Sequence, residues 1–255
     1  MSNRTLQNQK IRSAILAIYS DSKKRLGAYK ICFLLGSEYG IYISVGRVYR
    51  LMKSMNLPKM STVKPKFIYS KKEDCAAFNN VIKQNFTVDK PNLVWVSDIT
   101  YVKVTSNFMY ICVIIDLFSR KVIAYSVNNR INEQLVETTF LKAFQSRNQP
   151  KNLIFHSDRG SQYTSGKFRK LLDNCNVIQS FSAKGYPYDN AVSESFFKFL
   201  KLEELNRRYF YTKKQLELSL FEYIEGFYNN KRPHSANAML SPNQKEKIYF
   251  NNLMN

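Results

Sequence analysis

The chain has 255 residues, 44% hydrophobic and 23% charged, which is enough apolar material to close a core and excludes a wholly disordered polymer. Against 39 Lys and Arg stand 19 Asp and Glu, a formal charge of +20, so the expected partner is a polyanion: nucleic acid first, a membrane surface second. The membrane reading is weak, because the longest clean apolar run, Phe108 to Ile115, falls far short of the roughly 20 residues that a span needs. The N-terminus begins Met1-Ser2-Asn3-Arg4, with no apolar core before a small-residue cleavage site, so no signal peptide is expected. Cys32, Cys75, Cys112 and Cys175 form no C-x-x-C pair, and His156 and His234 are the two histidines, which leaves no ligand set for structural zinc. The cysteines read as reduced, mostly buried thiols of a cytosolic protein.

Residues 1–90 carry 17 Lys and Arg against 5 Asp and Glu and are the more basic part per residue. Ile11, Ile15, Leu16 and Ile18 space as one helical face; Val45, Val48, Leu51 and Met52 space as another, with Ser44 placed to cap it. Between them lie Gly27 to Ile31 and a turn around Gly36 to Gly40. Two or three short helices ending in a basic one (Arg47, Arg50, Lys53) suit a helix-turn-helix, and equally a small bundle with a solvated cationic face. This unit is taken as residues 1–57. Residues 58–90 follow as a basic linker, with Pro58, Pro65 and lysines from Lys59 to Lys72, then a short helix expected over Asp74 to Lys83.

From residue 91 to 255 the pattern is that of a second domain. Val94–Val104, Met109–Phe118 and Lys121–Val127 are β-branched, aromatic runs with short turns, an antiparallel meander. A helix over Glu133–Arg147, a strand over Asn152–Phe155, a helix over Lys167–Leu172 and a strand over Val177–Ser182 follow. Two helices, Asn190–Leu205 and Lys213–Asn229, complete an α/β order.

Acids stand out in so basic a chain. Asp98 shares a strand face with Val96 and Thr100, where an unpaired carboxylate is costly. Asp158 ends a strand, before Arg159-Gly160-Ser161. Glu194 lies one turn into a helix whose polar face is Asn190, Glu194, Lys198 and Lys201, with Val192, Phe196, Phe199 and Leu200 opposite. Each acid alone also reads as ordinary: a paired strand acid, a turn residue, an i,i+4 partner of lysine. Together they would repel, and a divalent cation would remove that penalty.

With 59 residues between Asp98 and Asp158 and 35 between Asp158 and Glu194, the acids resemble the DDE signature of retroviral integrases and bacterial transposases. The surrounding words carry the resemblance further: Trp95 to Tyr101, Asp116 to Arg120, His156 to Tyr163, Tyr188 to Lys198, and Tyr228 to His234. Over roughly residues 25–245 the chain is similar to the OrfB-type catalytic half of two-frame insertion-sequence transposases. The resemblance implies an RNase H-like mixed sheet flanked by helices after a helix-turn-helix. It implies metal-dependent DNA cleavage and strand transfer, with Asp98, Asp158 and Glu194 holding two magnesium or manganese ions. Lys198 would contact terminal DNA phosphates and Lys201 do so more weakly, with Arg159 and Lys184 as further contacts and Lys184 to Tyr188 a mobile loop. The partners implied are double-stranded DNA, an upstream-frame product as fusion or companion, and further copies of the chain, in a bacterial cytoplasm at the nucleoid. A DNA-binding regulator without turnover and a plain RNase H-like nuclease are the competing readings. The acids favour an enzyme over a binder, and the basic N-terminal unit favours transposition over hydrolysis.

Trp95 reads as a core aromatic and Asp116 as a turn residue paired with Arg120. His156 is either a positioning group for the second acid or a satisfied strand-end histidine. Tyr228 to His234 either touches DNA through its Asn, Lys and Arg or marks a helix stop at Pro233. The histidines of a retroviral zinc domain are absent, which favours the bacterial branch, and a Gly pair common in relatives after His234 is missing.

Overall fold

The computed structural model describes residues 3–57, 79–83, 85–183 and 190–254, and the chain divides into two compact units, residues 1–67 and 68–255. The first unit packs α1 (Asn3–Asp21), α2 (Ala28–Tyr39) and α3 (Val45–Ser54) around Ile11, Ile15, Ile18, Ile31, Leu35, Val48, Leu51 and Met52. Leu16 and Val45, expected on the apolar faces, are instead exposed. At 100° per residue, Leu16 falls off the stripe that Ile11, Ala14, Ile15 and Ile18 share. Ser44 caps α3 by accepting the Arg47 N–H at 3.3 Å. The turn expected from Gly36 begins only at Gly40, which ends α2 in the left-handed region at φ 64°. Gly36 serves packing: the ring of Tyr42 lies where a Cβ would meet its Cε1 at 3.2 Å.

In the second unit, β1 (Val94–Val104), β2 (Asn107–Asp116) and β3 (Val122–Asn128) form the antiparallel meander. After α4 (Glu133–Ser146), β4 (Ile154–Ser157) joins β1 in parallel. Then α5 (Ser161–Thr164) and α6 (Gly166–Asn174) lead to β5 (Ile178–Phe181), parallel to β4. The described sheet order is β3-β2-β1-β4-β5, an RNase H-like arrangement of three antiparallel and two parallel strands. One face is sealed by α4 and α6. Trp95, Cys112, Ile114, Phe140, Phe155, Tyr163 and Phe168 make its core, with Phe140 edge-on to Phe155 at 5.6 Å. α7 (Ala191–Glu203) packs on β1.

The strand expected to begin at Asn152 begins at Ile154, because Asn152 completes a turn at φ 59°. Asn79 to Lys83 is loop rather than the end of a helix, its backbone tied to β5 through Phe181 N–H to Asn79 O at 3.0 Å. The rest of that expected helix lies outside the described residues. The buried face of α7 is Ser193, Phe196, Phe197, Leu200 and Glu203, so Val192 and Phe199 are flanks and not the centre of the stripe. α8 (Lys213–Phe221) continues as a π-helical segment to Tyr228. No helix was expected over Pro242–Met254, yet α9 forms there. Its start is a capping box with proline at the first turn: Ser241 Oγ accepts from Gln244 N–H, and Gln244 Oε1 accepts from Ser241 N–H at 2.8 Å.

Buried ion pairs pin the helices to the sheet. Glu246 of α9 accepts from Ser119 Oγ (2.9 Å), Lys121 Nζ (3.2 Å) and Arg147 (2.8 Å), which holds its carboxyl below the usual range against the opposing effect of burial. Arg232 grips Glu203 of α7 with Nε to Oε2 at 2.9 Å and Nη2 to Oε1 at 2.8 Å, and Tyr223 Oη donates to the same carboxylate at 2.8 Å. The Tyr228–His234 word is therefore internal at Asn229, Arg232 and His234. Asn229 both accepts from Val122 N–H and donates to Val122 O, and its Asn230 and Lys231 alone face outward. Asp116, fully buried, accepts the N–H of Asn92 (2.7 Å) and of Phe118 (2.9 Å) and is a structural corner; its carbonyl takes the Arg120 N–H. Of the cysteines described, Cys112 is buried and Cys32 and Cys175 are half-buried, all as free thiols. Among the described residues no helix is long and apolar enough to cross a membrane.

Removing one partner of the Arg232–Glu203 pair leaves a buried charge unanswered. Arg232→Ala is expected to destabilise the fold by about 3–5 kcal/mol in urea denaturation, while the apolar double replacement Glu203→Leu/Arg232→Met loses much less.

Candidate active site

The parallel register of β1 with β4 runs Val94 to Ile154, Trp95 to Phe155 and Val96 to His156. Asp98 stands two residues further along β1, and Asp158 follows directly on the end of β4, near enough for its charge to act on the Asp98 carboxyl. Each is tied to the backbone beyond it. Asp98 Oδ1 accepts the Ile99 N–H at 2.8 Å, and Asp158 Oδ1 accepts the Gly160 N–H at 3.0 Å. Gly160 leaves room beside the carboxylate: a Cβ there would stand 3.1 Å from Asp158 Oδ1 and 2.5 Å from the movable Gln162 Oε1.

The floor is firmly built. Ser97 Oγ donates to Val113 O at 2.9 Å and pairs with Tyr163 Oη at 2.8 Å. His156 is fully buried, with its ring nitrogens against Ser180 Oγ (2.9 Å) and Ser182 Oγ (3.1 Å), so it is a satisfied histidine within the sheet. Trp95 is core. Asn190 Nδ2 donates to Ser97 O at 3.2 Å and ties the start of α7 to β1 one residue from Asp98. The roles of Ser97, Tyr163, Gly160 and Asn190 are not visible in the sequence. The one available signal, Asn190 on the polar face of α7, points only to the helix.

Glu194 lies in the first turn of α7 and is exposed, as is Lys198; Lys201 is half-buried, its Nζ 5.2 Å from the ring centre of Tyr101. Asp98 senses all of this. Its carboxyl is pushed up to about 7, first by burial and then by the charge of Asp158, with Glu194 adding to the push and the Ile99 N–H and Lys201 opposing it. Partial desolvation also raises Asp158 and Glu194. Asp98 therefore feels the charge of two other carboxylates and of one cation. Among the described residues no three such side chains stand together as a ready metal cage. The donor types nevertheless suit a hard divalent ion: they are oxygen ligands only, and mutual repulsion on the half-buried Asp98 is what a cation would relieve.

Arg159 is half-buried beside Asp158. Lys184 and the loop to Tyr188 lie outside the described residues. Arg47, Arg50 and Lys53 belong to the first unit. Arg50 and Lys53 are exposed on α3, while Arg47 donates to Gln7 (3.2 Å) and Asn8 (3.0 Å) of α1.

Family models place an integrase core domain over residues 88–187 and again over 176–242, and an HTH-like domain over residues 6–66. The transposase for insertion sequence element IS904 of Lactococcus lactis subsp. lactis (strain IL1403) is 38% identical over 247 residues, 96% of this chain and 97% of that protein. The chain belongs to the insertion-sequence transposases. Transposase InsF for insertion sequence IS3A of Escherichia coli (strain K12) is 35% identical over 246 residues, covering 96% of this chain and 85% of that protein. Among solved structures, a chain of the simian T-cell lymphotropic virus intasome in complex with PP2A regulatory subunit B56 gamma aligns over 91% of this chain and 74% of its own. The TM-score is 0.49 and the identity 13%.

The raised carboxyl of Asp98 sets a pH dependence. It holds its proton more tightly folded than unfolded, so the stability it contributes is complete below about 3.8 and is lost as pH rises toward about 7. In a chelator, Asp98→Asn is expected to gain about 1–3 kcal/mol on wild type between about pH 4 and pH 8 in urea denaturation. A difference that stays flat with pH would contradict this account.

Proposed function

We propose that this transposase cuts donor DNA and transfers the exposed strand by a two-metal polynucleotidyl transfer at Asp98, Asp158 and Glu194. The observation that supports the reading is the parallel register of β1 with β4, which ends two residues short of Asp98 and Asp158, together with the charges of Asp158 and Glu194 that raise the Asp98 carboxyl. The three carboxylates would hold two magnesium or manganese ions. Bound there, divalent ions would supply activation of a water or sugar hydroxyl for in-line attack and stabilisation of the leaving oxygen.

The chain's own residues do the rest. The Gly160 N–H and the Ile99 N–H orient the two aspartates. Lys198 and Lys201, on the face of α7 that carries Glu194, meet the phosphates of the DNA end, with Arg159 and Lys184 as further contacts. Cleavage leaves a 3′-hydroxyl, which then attacks a phosphate of a second strand; the bond broken and the bond formed are both P–O, and no covalent protein intermediate is required. Arg50 and Lys53 on α3, with Arg47 at its start, are the groove-facing and phosphate-facing side of the helix-turn-helix over residues 1–57, joined by residues 58–90 to the catalytic domain over 91–255. Because two DNA ends must be held at once, the acting form is a multimer, fused to or beside an upstream-frame product, in the bacterial cytoplasm at the nucleoid.

Strand transfer of a labelled terminal-repeat oligonucleotide in magnesium, wild type against Asp158→Asn, tests the reading. Loss of several kcal/mol of transition-state stabilisation predicts a drop of roughly a thousandfold or more with duplex binding retained. Equal activity in the two proteins would overturn it, and cleavage without joining, even with the upstream product present, would make the protein a nuclease. Duplex affinity is also expected to fall steeply between low and physiological salt, as Lys and Arg contacts displace counterions; a flat response would contradict a phosphate-dominated surface.

A further inference from the structure

At the far end of the β1–β2 hairpin the chain presents aromatic rings to solvent. Tyr209 is 90% and Tyr211 71% exposed, and on the hairpin itself Tyr101 is 58% and Phe108 50% exposed. These rings do not sit on a loose loop. Phe210, between the two tyrosines, is buried and bridges to Val104. Thr105 N–H donates to Phe210 O and Thr105 Oγ1 to Tyr211 O, both at 2.9 Å, and Tyr211 N–H donates to Gln215 Oε1 at 2.9 Å. Alternation along an extended segment then turns Tyr209 and Tyr211 outward while Phe210 anchors inward. Tyr101 and Phe108 are fixed edge to face at 5.3 Å. Four large exposed rings on a backbone tied down at Phe210 and Tyr211 form the kind of surface that partners use.

The charge of the patch identifies that partner's class. Residues 206–214 read Asn-Arg-Arg-Tyr-Phe-Tyr-Thr-Lys-Lys, four cations of which Arg208 pairs with Glu204 at 2.7 Å and Lys213 with Glu217 at 3.4 Å, and residues 101–110 add Lys103 and no acid, so the patch keeps a positive excess. A second copy of this basic chain would be repelled here, whereas a polyanion is drawn in. A closed duplex offers phosphates to the cations but hides its base faces. An unpaired strand offers both, and base-on-ring stacking beside cations is the means by which proteins hold single strands without reading sequence. Tyr101, three residues beyond Asp98 on β1, faces the other side of the sheet, and Lys201 is what links the patch to the acids: its Nζ lies 5.2 Å from the centre of the Tyr101 ring, and its charge draws down the Asp98 carboxyl.

We propose that Tyr209, Tyr211, Tyr101 and Phe108 form a stacking platform for the unpaired nucleotides of a DNA strand that leaves the acidic site. The proposal rests on the functional reading above for the source of that strand, since an end opened for cleavage exposes unpaired bases beside the scissile phosphate.

The test is fluorescence anisotropy of the full chain, in a chelator, with three probes: a blunt duplex, the same duplex with a single-stranded extension of about 10 nucleotides, and the single strand alone. Wild type is expected to prefer the extended duplex over the blunt one by about tenfold or more. Tyr209→Ala/Tyr211→Ala is expected to lose that preference while binding the blunt duplex as wild type does. Tyr209→Phe/Tyr211→Phe, which keeps the rings, is expected to retain it. A 2-aminopurine in the extension is expected to be quenched by wild type and by the phenylalanine variant, and not by the alanine variant. No preference in wild type, an alanine variant that keeps the preference, or one that weakens on all probes alike would each overturn the platform. So would a change of oligomeric state in the alanine variant with DNA binding unchanged, which would assign the rings to a second copy. Asp158→Asn separates the two claims: a preference that persists when neither it nor wild type transfers strands would sink the functional reading and leave the platform standing.

Discussion

The addition of β4 alongside β1 is the constraint on which the second unit's chemistry depends. A three-stranded antiparallel meander could form from residues 94–128 by local hairpins alone, and it would carry a single awkward carboxylate in mid-strand. The crossover through α4 returns the chain in parallel, and the register Val96 to His156 ends two residues short of Asp98 and Asp158, so that the charge of one acts on the other. Parallel pairing needs the long connection, so this contact joins residues 60 apart in a way no hairpin can. The cost is electrostatic. Asp98 is pushed up to about 7 because burial and two like charges oppose its ionisation, and only a backbone N–H and Lys201 push the other way. A divalent cation beside Asp98 would offset that cost.

Such placement needs a stiff frame, and the frame is made of polar groups buried with their partners. Ser97 and Tyr163 lock β1 to the layer beneath it, and His156 is spanned by two serines of β5 and the residue after it. α7 is held from both ends, by Asn190 on the Ser97 carbonyl and by Arg232 on Glu203. Glu194 is thereby carried on a helix whose rotation is set elsewhere. Buried pairs of this kind contribute little net stability against an apolar substitute, but each leaves one arrangement far better than its neighbours.

Much of the second unit is legible locally. Val94–Val104 reads as a strand from its β-branched and aromatic run, and the structure places β1 over the same residues. Glu133–Ser146 reads from its apolar stripe, and the three acids stand out because they interrupt apolar or basic contexts. Where reading by pattern misleads, the reason is a contact. Arg232 looks like a cation for DNA until Glu203, 29 residues earlier, is seen to hold it inside. Gly36 looks like a turn until the Tyr42 ring is found against it. Leu16 looks buried until the helix is turned against its neighbours. The start of α9 was written in Ser241-Pro242-Asn243-Gln244, a local signal that a search for apolar periodicity passes over.

Residue order by itself determined the basic charge, the succession of strands and helices, and the identity and spacing of the carboxylates, since each of these depends on neighbours within a turn or a strand. Tertiary structure alone decided that the charges of Asp158 and Glu194 act on Asp98, that Arg232 is buried, and that Tyr209 and Tyr211 face water while Phe210 does not. Those outcomes depend on strand register and on partners tens to a hundred residues away, and neither propensity nor periodicity carries that information.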